Sequence, residues 1–221
     1  MKRVLSAGLL CAGIALFGVS LVFAADPPKS SLTYKAVAPA VARADPPTPT
    51  PTIAPPTPTP FVGAVASLYL ASGGVTQGSV VESRDVDYRA SGPVFQDPSH
   101  PSRIAWYSNF GMPGWAGNNS IFAAHINYVG YGNGPFAGLA SAALGDALYV
   151  TMANGDTYSY TVESVQVIPL SQIDMVAIVF PGLDLSVERV TLISCGGNFR
   201  PLPGGGEYDS RVVLIAERYL Q

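Results

Sequence analysis

The chain of 221 residues holds two cysteines and two histidines, so the choice of nucleophile and of acid/base is short. Cys11 lies in an apolar run, where a small hydrophobe needs no further role, and the preceding Leu10 departs from a lipoprotein signal. Cys195 therefore stands alone in the remainder of the chain, with no partner for a disulfide. An unpaired thiol in an oxidising compartment needs a reason, either a nucleophile's work or burial as an inert side chain. His100 sits in the polar turn Asp97-Pro98-Ser99-His100-Pro101 and reads as a solvated surface group. His125 directly follows the apolar run Ile121-Phe122-Ala123-Ala124, the end of an expected strand, where either an acid/base or a backbone-satisfied core histidine fits. Cys195 ends the run Val190–Cys195, and Arg211 opens the run Arg211–Ala216. If the two runs pair as antiparallel neighbours joined by a loop from Gly196 to Ser210, thiol and guanidinium meet at one rim. Gly196 and Gly197 then leave the thiol accessible, with backbone N–H groups free to face a reacting carbonyl. Together Cys195, His125 and Arg211 supply a nucleophile, an acid/base and a charge stabiliser, with Arg200 as the rival arginine.

The elements that must position them read as strands. Ile104–Phe110 and Ile121–Ala124 are short apolar or aromatic runs bounded by Gly, Pro and Asn. Ala147–Ala153 and Asp156–Val162 flank Asn154-Gly155, a hairpin signal whose tightest form needs positive φ at both central residues. Short helices are expected around Pro135–Leu144 and Ser171–Phe180, but no segment carries a long 3.6-residue stripe. The expectation is an all-β barrel or sandwich with a few helical turns. Gly130, Gly132 and Gly134 lack the spacing and βαβ context of a nucleotide loop and read as a flexible connection.

Hydrophobic residues make up 48% of the chain and charged ones 12%, with a net charge of -3, which gives no reason to expect nucleic acid. Met1-Lys2-Arg3 precedes the uncharged run Val4–Ala25, which at helical rise spans about 33 Å, one bilayer's hydrocarbon thickness. Residues 1–25 are thus a membrane anchor or a cleaved signal peptide, and either sends the rest of the chain outward. Residues 26–60 form a linker ending in a Thr-Pro tract from Pro46 to Pro60, which in polyproline II form reaches about 45 Å. The folded domain is expected over 61–221.

The blocks around these residues resemble one family. Thr191-Leu192-Ile193-Ser194-Cys195 is similar to the sortase signature Thr-Leu-x-Thr-Cys, and Arg211 before an apolar strand matches that family's arginine. Ala123-Ala124-His125 resembles its Ala-Gly-His segment, and Phe136, Leu139 and Gly145-Asp146 follow at similar spacings. Trp106-Tyr107, Pro113-Gly114 and Tyr158-x-Tyr160-x-Val162 extend the likeness over Ile104 to Glu217. Ala124 and Ser194 depart from the family's glycine and threonine without removing a reacting group. The single-domain form is similar to classes E and F and leaves the subfamily open.

The resemblance implies a closed eight-stranded β-barrel with short helices and a groove on one face. It implies a cysteine transpeptidase or endopeptidase that cuts a C-terminal sorting signal of the Leu-Pro-x-Thr-Gly kind. Cys195 would carry the acyl group as a thioester, His125 would move protons, Arg211 would hold substrate and oxyanion, and Ser194 would touch the substrate. The apolar segment Gln166–Arg189 would wall the pocket or simply pack in the barrel. No metal or other cofactor is called for. The implied partners are surface proteins bearing sorting signals, an amine on cell wall or pilin, and the membrane through the anchor. Localisation follows as single-pass at the cell membrane, or secreted if the leader is removed. A thiol hydrolase with the same residues, and a non-catalytic stalked surface module with Cys195 merely buried, are the competing readings. The Ser-x-Gly-Cys motif of peptidoglycan L,D-transpeptidases is absent.

Overall fold

The computed structural model describes residues 59–89, 92–202 and 205–220. The apolar run Val4–Ala25 and the Thr-Pro tract up to Pro58 lie outside the described residues, so the anchor and most of the linker are not addressed by it. Among the described residues no helix is long and apolar enough to cross a membrane.

Among the described residues twelve strands run in chain order: β1 (Val65–Leu70), β2 (Val81–Ser83), β3 (Val86–Arg89), β4 (Gly92–Phe95), β5 (Ile104–Tyr107), β6 (Asn119–Ala123), β7 (Asn127–Tyr128), β8 (Gly132–Asn133), β9 (Ala147–Met152), β10 (Thr157–Pro169), β11 (Val187–Leu202) and β12 (Gly205–Tyr219). Eight of them form one sheet in the order β1-β9-β10-β12-β11-β6-β5-β2, while β3–β4 and β7–β8 are separate hairpins. The ends of that order, β1 and β2, come together without a hydrogen-bonded ladder, so the sheet is a nearly closed barrel.

Strand alternation builds the interior. Leu70, Trp106, Phe122, Leu148, Leu192 and Leu214 project inward from six different strands and are fully or almost fully buried. Burying each such side chain contributes roughly 1.5–3 kcal/mol. β5 and the Ile121–Ala123 part of β6 are largely buried on both faces, which is why they read as short apolar runs. Their outer face carries a second cluster of Ala105, Tyr107, Ile121 and Ile193, packed against Phe95 and Met175.

Helix is scarce: the segment expected around Pro135–Leu144 makes only a 3-10 turn at Leu139–Ser141, and that around Ser171–Phe180 makes α1 (Met175–Val179). Asp174 caps α1 by accepting from Val176 N and Ala177 N at 3.0 Å each. The buried Asn119 amide donates to Ile178 O at 2.8 Å and Val179 O at 3.2 Å, and accepts from Thr191 Oγ1 at 2.7 Å. That chain of bonds fixes α1 against β6 and β11.

The hairpin at Asn154-Gly155 is present but of a different class from the expected one. Met152 N donates to Asp156 O at 2.8 Å and Gly155 N to Met152 O at 3.0 Å, and only Gly155 has positive φ (93°). This is a three-residue loop with a glycine bulge, which needs one left-handed residue instead of two.

Candidate active site

On β11, Val190 and Leu192 face the interior and Ile193 faces the outer cluster, so Cys195 emerges on the outer side with Ile193. Antiparallel pairing sets Arg211 of β12 directly across from Cys195, which puts both side chains on one face. β6 runs parallel to β11, with Arg189 opposite Asn119 through Ile193 opposite Ala123. The next steps are made by Ala124 N donating to Ile193 O at 3.3 Å and Ser194 Oγ donating to Ala124 O at 2.8 Å. Carried on by one residue, the register brings His125 level with Cys195.

The backbone of His125 is clamped from the far side. Its carbonyl accepts from Phe136 N at 3.1 Å, and the neighbouring Ile126 O accepts from Gly134 N at 2.9 Å. Gly134 lies so close that an added Cβ would stand 2.3 Å from His125 O, so only glycine fits there undisturbed. The His125 ring meets Tyr128 edge-on, centroids 5.2 Å apart.

Cys195, His125 and Arg211 line one cleft of about 380 Å³. Leu170, Ile173 and Met175, from the segment expected to be a wall, line it too, as do Val94, Phe95 and Tyr107. Asp97 adds a carboxylate at the edge. The connection carrying it is held by Tyr107 Oη donating to Gln96 O at 2.7 Å and Arg84 Nε donating to Asp97 O at 2.9 Å. Burial pushes the Cys195 thiol up from its ordinary value, the Arg211 guanidinium pulls it down, and the charge of Asp97 pushes it up again. The net direction is upward, and His125 lines the same cleft.

Cys195 does not end its strand, and the expected loop from Gly196 to Ser210 does not exist. β11 and β12 continue past the cleft as a two-stranded ribbon, with Phe199 opposite Tyr208, Arg200 opposite Glu207 and Leu202 opposite Gly205. The register slips between Gly196 and Phe199, where Gly197 adopts φ 78° and Asp209 accepts from Asn198 N at 2.9 Å. The glycines that read as loop-formers thus make a bulge that turns the ribbon without breaking its pairing. Arg200 stands out on this ribbon and lines a separate hollow with Glu207 and Asp209, away from His125.

Ser194 borders the cleft, yet it is only 4% exposed and its hydroxyl is taken by Ala124 O. That bond joins β11 to the end of β6. His100 lies outside the cleft, with Nδ1 2.8 Å from Ser102 Oγ and its ring against Tyr131. Asp97 and Gly134 were not foreseen as site residues. Both act through the approach of distant segments, which leaves no local sequence signal.

A family profile described as a Sortase domain matches residues 80–219, well over half the chain. The chain belongs to the sortase family. That membership carries transpeptidation as the general activity, without assigning roles to individual residues. The fold is similar to that of the SrtA sortase from Actinomyces oris, at 18% identity and a TM-score of 0.50, over 75% of this chain and 86% of that one. Weaker likenesses are to the pilus-related sortase C of Group B Streptococcus (14% identity, 72% of this chain and 69% of that one, TM-score 0.47) and the lid mutant of sortase A from Corynebacterium diphtheriae (17%, 62% and 69%, 0.42). No curated protein matches the chain.

Proposed function

We infer that the chain is an extracytoplasmic cysteine transpeptidase that cleaves a C-terminal sorting signal and passes the acyl group to an amine. The observation that carries this reading is the meeting of Cys195, His125 and Arg211 in one partly apolar cleft, His125 from the end of β6 and the other two from the paired strands β11 and β12. Cys195 Sγ, on giving its proton to His125, forms a bond to the scissile carbonyl carbon. The Arg211 guanidinium and backbone N–H groups stabilise the oxyanion. Collapse breaks the C–N bond, His125 returns the proton to the leaving amine, and a thioester remains. A second amine then gives a proton to His125, forms the new C–N bond and expels the Cys195 thiolate. Leu170, Ile173 and Met175 suit an apolar residue of the signal, such as the leucine of Leu-Pro-x-Thr-Gly.

In this reading residues 1–25 anchor the chain in the membrane or direct its export, 26–60 act as a stalk, and 61–221 form the catalytic domain. The partners are surface proteins with sorting signals and an amine acceptor on the cell wall or a pilin. The test is incubation of the full chain with Leu-Pro-x-Thr-Gly peptides, with and without triglycine as the amine. An amide-joined product that requires triglycine, and is lost in Cys195→Ala, His125→Ala and Arg211→Ala, is expected. Hydrolysis unaffected by the amine would make the chain a thiol hydrolase. No product with an unreactive thiol would make it a non-catalytic surface module.

A further inference from the structure

The end of the barrel away from Cys195 carries a second, larger hollow. On β11, Glu188 lies seven residues before Cys195, about 23 Å along the strand, and its Cα partner on β12 is Arg218. Around Arg218 a groove of about 750 Å³ is lined by Trp115, Tyr158 and Tyr219, and by Thr59 and Pro60 of this same chain. Its cation is already engaged: Arg218 donates to Glu188 Oε2 through Nε at 2.9 Å and Nη2 at 2.5 Å, and lies 4.8 Å over the Tyr158 ring. What the groove offers is therefore aromatic surface, with Tyr219 64% exposed. Trp115 Nε1 is buried and has no acceptor. An indole N–H can only donate, and a buried donor calls for a carbonyl to meet it.

Thr59 and Pro60, which line this groove, end the sequence Pro55-Pro56-Thr57-Pro58-Thr59-Pro60. Phe61, the residue after it, packs against the barrel core, so the chain is pinned where it leaves the tract. Prolines lack N–H groups, and polyproline II backbone makes no internal hydrogen bonds, so such a tract is rich in free carbonyls and poor in donors. Aromatic-lined grooves take such segments because their extended form costs little entropy to fix. The groove and the tract are thus matched in apolar character and hydrogen-bonding sense.

We propose that Pro55–Pro60 docks in the groove around Trp115, Tyr158 and Tyr219, with a tract carbonyl accepting from Trp115 Nε1. The tract would then meet the barrel at the end opposite the Cys195 cleft. The proposal is independent of the chemistry assigned to Cys195.

The test uses the full ¹⁵N-labelled chain in detergent micelles, whose two tryptophans give two indole N–H signals. Trp115→Phe assigns them, and Trp106, which donates to Gly111 O at 3.2 Å inside the barrel, is the internal reference. Pro56→Gly/Pro58→Gly alters the tract outside the barrel strands. Hydrogen exchange at Trp115 should accelerate at least about tenfold in that variant while Trp106 is unchanged. A peptide Pro-Pro-Thr-Pro-Thr-Pro should slow it again in the variant and leave the wild type unaffected, because there the groove is filled. Equal Trp115 exchange in wild type and variant overturns the proposal. So does a peptide that shifts the Trp115 signal of the wild type as readily as that of the variant, since the groove would then be open to a partner in trans.

Discussion

Replacing Gly134 by alanine should damage the cleft through His125 without touching a reacting group. The added Cβ would lie 2.3 Å from His125 O, 2.7 Å from its carbonyl carbon and 3.0 Å from its Cβ. The first of these is more than about 1 Å inside the roughly 3.5 Å at which non-bonded heavy atoms rest. Neither side yields freely, because His125 O and Ile126 O hold hydrogen bonds from Phe136 N and Gly134 N. Overpacking of this kind costs about 1–3 kcal/mol, which for a domain of this size lowers Tm by about 2–4 °C per kcal/mol. If His125 absorbs the shift, a displacement of about 1 Å costs on the order of 100-fold in turnover. Gly130→Ala is the control: its φ is 83° and nothing lies within 4 Å of the added Cβ, so it carries about 1–2 kcal/mol of backbone strain and no clash. The assays are thermal melting and the peptide-plus-triglycine reaction on both variants. A Gly134→Ala protein melting within about 1 °C of wild type and turning over within about twofold would refute the reasoning.

Three further outcomes follow from the electrostatics. Alkylation of Cys195 should rise with pH through a midpoint above that of an ordinary thiol, moving lower in Asp97→Asn and higher in Arg211→Ala, as read by iodoacetamide rates. Burial pushes the Glu82 carboxyl up, but hydrogen bonds from Ser99 and Arg103 outweigh it and hold it at about 2 against 4.5. Because this folded-state value is depressed, its stabilisation of about 1 kcal/mol after screening is present above pH 4.5 and is lost as pH falls toward 2. The Tm gap between wild type and Glu82→Gln should therefore close over that range. Glu188, fully buried, accepts from Gly114 N, Tyr160 Oη and Arg218, and Glu188→Ala should cost about 3 kcal/mol in denaturant melts, with Glu188→Gln costing less.

The sequence announced strands wherever burial acts locally. β5, β6, β9, the first parts of β10 and β11 and the second half of β12 coincide with apolar or alternating runs, and Asn154-Gly155 marks a turn between two of them. It did not announce β1 to β4, which are short or mixed in composition and take their form from partners elsewhere in the chain. The turn class at Gly155 was misjudged because one left-handed glycine suffices there. The ribbon beyond Cys195 was misread as a loop because Gly196, Gly197 and Gly206 resemble breakers. In the fold, Gly206 instead leaves room for the Phe199 ring, whose Cζ would lie 2.2 Å from an added Cβ. The pairing of Cys195 with Arg211 could be anticipated from two apolar runs in succession. The approach of His125 could not, since it depends on parallel pairing of strands about 70 residues apart, for which no local pattern exists. Asp97 and Gly134 were silent for the same reason.

The central claim, that Cys195 forms an acyl-enzyme in this cleft, is tested most directly by intact-mass analysis of the chain incubated with Leu-Pro-x-Thr-Gly peptides beside a Cys195→Ala control. The account predicts a mass increase equal to the peptide cut after threonine, absent from Cys195→Ala and discharged by triglycine. No adduct across the peptides, with Cys195 also inert to alkylation at high pH, would contradict it.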